Sequence, residues 1–298
     1  MPENGIRSTY SQSPFQILIY DDNGLISTGT AFFYDLNGEN YLITNWHNIS
    51  GRHFLTNEIL DKKNGRLPTY FEAKLATNFP DKNGFTTFSH KVEIYENYEP
   101  IWFESPEMGS KCDVIAIPFN KPIGIVDNFH HPTNLIGNIR IPVKPGNTVF
   151  VIGFPMSISV YIGLPIWKAG YIASEPFYDI TIGGKVSKLG GLESGLNLPA
   201  FFIDTQTKEG MSGSPVFANY IGNWNMKNPY SKIDPDSIEF RESNKIALGE
   251  NRLEFVGCYS GRIGKEEEGA TLGLCWRENT IRLICEQKTI GKHPQIGV

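Results

Sequence analysis

Short apolar stretches separated by turn-forming residues fill the first 120 residues of the chain. Residues 15–20 read Phe-Gln-Ile-Leu-Ile-Tyr and end at Asp-Asp-Asn-Gly, and residues 26–34 end at Asp-Leu-Asn-Gly. Such polar and glycine-containing sequences are typical of tight turns between strands. Further stretches rich in β-branched and aromatic residues predict strands over residues 40–45, 70–77, 87–95 and 113–117. Because this region lacks sustained helical periodicity, it predicts an antiparallel barrel or sandwich.

An irregular, proline-containing segment over residues 120–146 separates this region from a second set of strands. It predicts a linker with a boundary near residue 130, and therefore an N-terminal domain over residues 1–130 and a C-terminal domain over residues 131–298. The second domain is predicted to contain strands over residues 148–154, 166–173, 200–204, 253–259 and 271–276.

Helical spacing becomes clear only near the end of the chain. Residues 278–288 include Ile281 and Ile284 at helical spacing, which predicts a C-terminal α-helix. Two segments fit neither pattern: residues 174–198 are rich in glycine, and residues 220–250 are long and polar. We expect both to be loops, which at this length are usually functional or disordered.

Composition and charge exclude several classes of function. The chain has 298 residues, of which 40% are hydrophobic, so it can bury a substantial core. Its net charge of −5 and its lack of a basic tract argue against a nucleic-acid partner. No stretch approaches the roughly 20 apolar residues of a membrane span, and the N-terminus does not resemble a signal peptide.

The cysteines indicate a reducing compartment. They form no Cys-x-x-Cys pair and have no histidine at metal-ligand spacing, so no metal or cofactor is predicted. Each lies in or beside an apolar segment, where a free cysteine packs as a small apolar residue. We therefore expect a soluble, cytoplasmic protein. The four cysteines are Cys112, Cys258, Cys275 and Cys285.

A candidate nucleophile lies in the sequence Glu-Gly-Met-Ser-Gly-Ser-Pro over residues 209–215. Ser212 has Gly210 and Gly213 close on either side, and glycine allows a sharp turn that aims several N–H groups inward. A hydroxyl beside such N–H groups is what acyl transfer requires. The alternative is an ordinary Gly/Ser turn between strands.

Two other residues supply the rest of a catalytic group. His47 follows one predicted strand, and Asp113 opens another. Taken alone, His47 could be a structural histidine, and Asp113 could cap a turn. Three other histidines, His53, His130 and His131, are expected to be solvated.

These residues lie in a set of motifs that resembles the chymotrypsin-like serine peptidases, and most closely their disulfide-poor bacterial branch, which includes the HtrA-type proteases. The resemblance implies an all-β fold of two antiparallel six-stranded β-barrels with a C-terminal α-helix and an active site between the barrels. The chain order His, Asp, Ser is that of the family. The motifs lie at residues 29–32, 42–47, 113–117, 146–155, 210–215 and 256–261.

The resemblance assigns a role to each residue. Ser212 is expected to attack the peptide carbonyl, His47 to act as general base and Asp113 to orient the imidazole. The N–H groups of Gly210 and Ser212 are expected to form the oxyanion hole. Backbone groups of Ser260, Gly261 and Arg262 are expected to bind an extended substrate.

The primary specificity pocket is expected to accept an uncharged residue. Its base is predicted near Gln206, with Gly269 and Ala270 on the opposite wall. Members selective for Lys or Arg have an aspartate at the base, whereas the nearest acid here is Asp204, which strand alternation can direct elsewhere.

Departures from the family bear on regulation. Asn48 follows His47, so the family's disulfide next to the catalytic histidine is missing. Met211 stands where zymogen-type members have the aspartate that pairs with the freed N-terminal amine. Cleavage at the N-terminus is therefore not expected to control activity. Residues 174–198 and 220–250 are candidates for control by substrate or by a regulatory protein partner.

We expect a serine endopeptidase acting on a protein or peptide substrate through an acyl-enzyme. Two alternatives stay open. One is a peptidase-fold module that binds peptides without catalysis, and the other is an esterase that uses the same triad.

Overall fold

A computed structural model of the chain describes most of its length. The described residues are 8–78, 85–120, 122, 129–137, 141–183, 185–186, 192–193, 195–225, 246–262 and 272–294.

The N-terminal half forms a six-stranded antiparallel sheet with the strand order β5-β4-β1-β2-β3-β8. In β1 the side chains of Phe15, Ile17 and Ile19 are buried and those between them are partly exposed, as the apolar alternation predicts. A short hairpin, β6 and β7, lies outside the sheet. The strands are β1 (Phe15–Asp21), β2 (Gly24–Leu36), β3 (Glu39–Thr44), β4 (Tyr70–Asn78), β5 (Phe85–Glu93), β6 (Tyr95–Glu96), β7 (Glu99–Pro100) and β8 (Ile115–Pro118).

The C-terminal half forms a closed antiparallel barrel with the strand order β10-β15-β18-β17-β16-β9. Two small hairpins, β11 with β14 and β12 with β13, are inserted between β10 and β15. The strands are β9 (Thr148–Gly153), β10 (Ile166–Ile172), β11 (Ile180–Ile182), β12 (Lys185–Val186), β13 (Leu192–Glu193), β14 (Leu196–Leu198), β15 (Ala200–Thr205), β16 (Pro215–Asn225), β17 (Ile246–Arg262) and β18 (Leu272–Arg277).

Two α-helices and three short 3-10 helices complete the described elements. Helix α1 (Trp46–Ser50) is a single turn that ends at Gly51, whose φ of +67° is in the left-handed region that favours glycine. Helix α2 (Glu278–Gln287) buries Ile281 and Ile284. The 3-10 helices are Thr9–Gln12, Thr133–Leu135 and Pro155–Ser157.

The largest core cluster joins the two halves. It includes Phe32 and Trp46 from the first half together with Phe217 and Trp276 from the barrel. Close-packed apolar contacts resist relative movement, so this shared core holds the two halves in one arrangement. No helix in the described part of the chain is long and apolar enough to cross a membrane.

The all-β fold class is confirmed, with six main strands in each half and a C-terminal helix. The expected barrel is closed in the C-terminal half, whereas the described strands of the N-terminal half form a six-stranded sheet. The interpretation of residues 174–198 and 220–250 as loops is wrong where the structure describes them. The first contains four short strands, and the second contains parts of the long β16–β17 hairpin. Both segments are rich in polar residues or glycine, and this composition favoured the loop interpretation. The boundary near residue 130 stays a prediction.

His130 corrects another expectation, because it is buried rather than solvated. Its Nε2 accepts a 2.8 Å hydrogen bond from the N–H of Ala76, and its ring contacts Phe15 and Phe129. This histidine therefore joins the linker to the first sheet.

Candidate active site

Strand pairing brings His47 and Asp113 together. Strands β3 and β8 are antiparallel neighbours, with Thr44 opposite Ile115. Helix α1 begins just after β3 ends, and Asp113 lies just before β8 begins. The end of one antiparallel strand lies beside the start of its partner, so His47 and Asp113 are held at the same edge of the sheet.

Asp113 is buried and fully engaged by donors. His47 Nδ1 lies 2.6 Å from Oδ2 of Asp113, and the backbone N–H of His47 donates to Oδ1 at 2.9 Å. The hydroxyl of Ser260 also donates to Oδ2. A side-chain amide proton of Asn45 is donated to the backbone carbonyl of Asp113 at 2.6 Å. These donors compensate for the loss of water around a carboxylate that is 0% exposed.

The imidazole of His47 is consequently held in one orientation. When Nδ1 of a neutral histidine donates to a carboxylate, Nε2 is left as an acceptor. The side chain is 18% exposed, so it is open to the cleft on one side only.

Ser212 lies in a sharp turn before β16. Gly210 and Gly213 both have φ of +88°, which only glycine adopts readily. The N–H of Gly213 donates to the carbonyl of Tyr259 at 2.9 Å, and the N–H of Ser214 donates to the carbonyl of Met211 at 3.0 Å. The Ser212 hydroxyl donates to the Ser260 carbonyl at 3.4 Å. Within the described residues it makes no hydrogen bond to His47.

The peptide before Gly210 has a defined orientation. The Glu209 carbonyl accepts a hydrogen bond from the N–H of Met156 at 2.6 Å. A trans peptide directs its carbonyl and its N–H to opposite sides, so the N–H of Gly210 points away from Met156. Across the described ranges, neither this N–H nor that of Ser212 has an acceptor. Two donors near the Ser212 hydroxyl are therefore available.

Asn48 is a site residue whose role was missed from the sequence. Its side-chain nitrogen lies 3.2 Å from the Ser212 carbonyl and 3.0 Å from Oγ1 of Thr44. A Cβ on Gly29 would lie 2.7 Å from this nitrogen, so the glycine makes room for it. The sequence signal for this role was Asn48 itself, which has an amide side chain at the position where the family has a cysteine.

The predicted substrate-binding residues fall into two groups. Gly261 and Arg262 line a cavity of about 200 Å³, together with His47 and the apolar side chains of Phe54 and Leu274. Gln206 is exposed and does not line this cavity. Ser260 belongs to the first group through its backbone, but its buried side chain binds Asp113, which sequence reasoning did not anticipate. Gly269 and Ala270 lie outside the described residues.

Asp204 lies on the outer face of the barrel. It is exposed, whereas its neighbours Ile203 and Thr205 are buried. Its strand partners Tyr171 and Leu272 are exposed as well. Strand alternation therefore directs this carboxylate away from the barrel interior.

No cluster suited to a metal ion occurs among the described histidine, cysteine, aspartate and glutamate residues. Cys112, next to Asp113, is fully buried, and this burial raises the pKa of its thiol well above the usual range. A buried neutral thiol is unsuited to nucleophilic attack.

Residues 29–223 match the family model of the trypsin-like peptidase domain, a span that includes His47, Asp113 and Ser212. No significant match to a curated protein sequence is found.

The solved structures that match this chain share little sequence identity with it. The active form of the Rv3671c protease from M. tuberculosis shares 13% identity, covers 95% of this chain and 83% of its own, and gives a TM-score of 0.45. The serine endoprotease from Yersinia pestis shares 11% identity over 95% of this chain and 67% of its own, with a TM-score of 0.43. The argument for the family rests on the match to residues 29–223, which spans more than half of the chain. The chain therefore belongs to the trypsin-like peptidase domain family and is a serine protease.

Proposed function

We propose that the protein is a serine endopeptidase that cleaves peptide bonds through an acyl-enzyme on Ser212, with His47 and Asp113 completing the triad. The observation that carries this proposal is the buried Asp113 carboxylate 2.6 Å from Nδ1 of His47, beside Ser260, which also accepts the hydrogen bond of the Ser212 hydroxyl through its backbone carbonyl. This pairing leaves Nε2 of His47 free to accept a proton.

The chemistry follows from these positions. Ser212 gives its hydroxyl proton to His47 as its oxygen bonds to the scissile carbonyl carbon. His47 then protonates the departing amine, which leaves an ester on Ser212. A water molecule then gives a proton to His47 as its oxygen bonds to the ester carbon. The Ser212 oxygen leaves, recovers that proton from His47, and the carboxylic acid product is released. The first step requires the Ser212 hydroxyl to turn from the Ser260 carbonyl to His47, and catalytic hydrogen bonds often tighten only when substrate binds.

Charge that develops on the carbonyl oxygen needs donors that are already in place. The N–H groups of Gly210 and Ser212 are proposed to supply them. The Glu209 carbonyl supports this proposal, because it accepts a hydrogen bond from the Met156 N–H and is therefore turned away from the site. Donors fixed before the reaction need no reorganisation in the transition state.

The proposed substrate is an extended protein segment with an uncharged residue before the cleaved bond. Backbone groups of Gly261 and Arg262 are proposed to pair with it as an added strand. The outward direction of Asp204 supports an uncharged primary pocket near Gln206. Cleavage-site mapping on a peptide library tests this, and strong selection for Lys or Arg would contradict it.

The setting and control of the enzyme are part of the proposal. Four free, buried cysteines support a reducing, cytoplasmic location. The burial of Met211 supports regulation without N-terminal cleavage, because an ammonium group buried beside it would have no partner. A regulatory protein partner is proposed as the alternative control, acting through the segments at residues 174–198 and 220–250. Shortening residues 220–250 tests it, and comparing untagged protein with protein that carries an N-terminal extension tests control by cleavage.

The decisive experiment is labelling with a fluorophosphonate, which reacts with activated serines. Wild-type protein should be labelled on Ser212, and Ser212→Ala should lose both labelling and peptide hydrolysis while remaining folded. Ser214→Ala is the matched control, because Ser214 is fully buried and should not react. Labelling of Ser214, or none at all, would contradict the assignment. Hydrolysis of esters without peptides would favour the esterase, and peptide binding without labelling would favour the binding module.

A further inference from the structure

Thr30 lies in β2 of the first sheet, yet it binds the nucleophile turn of the barrel at two points. Its backbone N–H donates to the Ser212 carbonyl at 2.9 Å. Its hydroxyl donates to the Gly210 carbonyl at 2.8 Å. The side chain is fully buried. A single residue of one half therefore holds the carbonyls of both residues proposed to supply oxyanion donors.

The same hydroxyl also accepts a hydrogen bond from the N–H of Phe154 at 3.3 Å. Phe154 precedes the 3-10 turn Pro155–Ser157, which contains the Met156 N–H that binds the Glu209 carbonyl. Thr30 thus affects the orientation of the Gly210 N–H through the peptides on both sides of Gly210. It holds the carbonyl of Gly210 directly, and it anchors the turn that holds the preceding carbonyl.

A rotated Glu209–Gly210 peptide would lose this arrangement. Its carbonyl would point into the site, and its N–H would point at the N–H of Met156, so that two donors would face each other. The Met156 N–H would then have lost its acceptor. The arrangement is also tight, because a Cβ on Gly153 would lie 2.7 Å from the Thr30 hydroxyl.

We propose that Thr30 is a positioning residue for the oxyanion site, and that its hydroxyl keeps the Gly210 N–H directed at the substrate carbonyl. This rests on the proposed function. Thr30 does not touch the reacting atoms, and it acts through Gly210 and through the Phe154–Ser157 turn. Its position in the first half also aligns the nucleophile of the barrel with the base on α1.

The test compares Thr30→Val with Thr30→Ser in the full-length protein. Valine keeps the shape and the backbone N–H of threonine but lacks the hydroxyl, whereas serine keeps the hydroxyl. Loss of a direct oxyanion donor lowers kcat about 10²–10³-fold in such enzymes, so an indirect loss in Thr30→Val should lower kcat about 10–100-fold. KM should change less than about threefold, because the contact strengthens only in the transition state.

Thr30→Ser should stay within about threefold of wild type in kcat, since its hydroxyl can make the same bonds. If both variants lose activity equally, or if Thr30→Val keeps wild-type kcat, the hydroxyl is not a positioning group. A rise in KM with unchanged kcat would also overturn the proposal. Should Thr30→Val fail to fold, Thr30→Ala removes the same hydroxyl with a smaller side chain.

Crystal structures of the two variants separate this proposal from the proposed function. In Thr30→Val the Glu209 carbonyl should leave the Met156 N–H, and in Thr30→Ser it should remain. An unchanged peptide in Thr30→Val would overturn the positioning role even if Ser212 is the nucleophile. Conversely, a wild-type protein without fluorophosphonate labelling would refute the acyl-enzyme, while the peptide orientation would still decide the role of Thr30.

Discussion

The two halves of the candidate site are held by different kinds of contact. On the first half, the Asp113 carboxylate is bound by side chains and by one backbone N–H, including the imidazole of His47 and the hydroxyl of Ser260. On the barrel, the Ser212 turn is held mostly through its backbone, by Tyr259, Thr30 and Met156. The contacts around Asp113 thus fix the position of a charge, whereas those around Ser212 fix the orientation of backbone peptides.

This difference determines what a substitution can do. Replacing a side chain that contacts Asp113 or His47 changes the charge or the tautomer of a group that takes part in proton transfer. Replacing one near the turn leaves the chemistry in place and changes its geometry or its stability. The following predictions test that division, beginning with the largest expected effect.

Asp113→Asn should separate charge from geometry. The amide has the shape of the carboxylate, but its NH₂ group favours the wrong tautomer of His47, so kcat should fall by about 10⁴, as in the chymotrypsin-type template. Steady-state kinetics with a cleaved peptide measures the effect. Thermal unfolding is the control, since the variant should remain folded. A loss below about tenfold would mean that another carboxylate orients His47.

Asn48→Ala should affect the nucleophile turn mainly through stability. It removes a donor to the Ser212 carbonyl, which keeps the Thr30 N–H as a second donor. Because the Ser212 carbonyl and the Thr44 hydroxyl each keep another partner, the loss should cost only the net value of a hydrogen bond, about 0.5–1.5 kcal/mol. We expect a lower Tm and a kcat within about tenfold of wild type.

Denaturant unfolding and peptide kinetics on the same preparations distinguish the two effects of Asn48→Ala. Asn279→Ala is a suitable control, because Asn279 is exposed on α2, has no left-handed backbone and lies outside the nucleophile turn. If kcat falls about 10³-fold or more while stability is unchanged, Asn48 acts in catalysis, and the division between the two halves does not hold.

Much of this arrangement could be predicted from short sequence patterns. Alternation in Phe15–Asp21 predicted β1, and the glycines around Ser212 predicted its turn. Strands and turns depend on neighbours in sequence, so local patterns report them. The partnership of His47 and Asp113 came instead from the resemblance of their motifs and chain order to those of the peptidase family.

The contacts that hold the turn could not be predicted in this way. Thr30 and Gly210 are far apart in the chain and meet only because the two halves pack together. The Met156 contact uses a backbone N–H, which no residue type reveals. Likewise, His130 lies in an irregular segment between Pro122 and Pro132, and only tertiary packing buries it.

The smallest expected effect concerns the buried thiols, which lie in both halves. Burial raises the pKa of the Cys112, Cys258, Cys275 and Cys285 thiols above the usual range. Burial also raises the pKa of Tyr259 to about 12. A group whose folded pKa lies above its unfolded value stabilises the folded state below the unfolded value, and this contribution is lost as pH rises.

Stability should therefore be nearly constant between about pH 7 and pH 8 and fall above the unfolded thiol pKa of about 8.5. Thermal unfolding, measured from neutral pH to well above this pKa, follows the decline. Cys285→Ala should make the decline shallower because one titrating thiol is removed. Native protein at neutral pH should react slowly with a thiol reagent, while unfolded protein should expose all four thiols. Peptide hydrolysis should survive the reagent, since Ser212 rather than Cys112 is the proposed nucleophile. Rapid modification of Cys112 with loss of activity would show that the first half opens, contrary to its closely packed and fully bonded carboxylate.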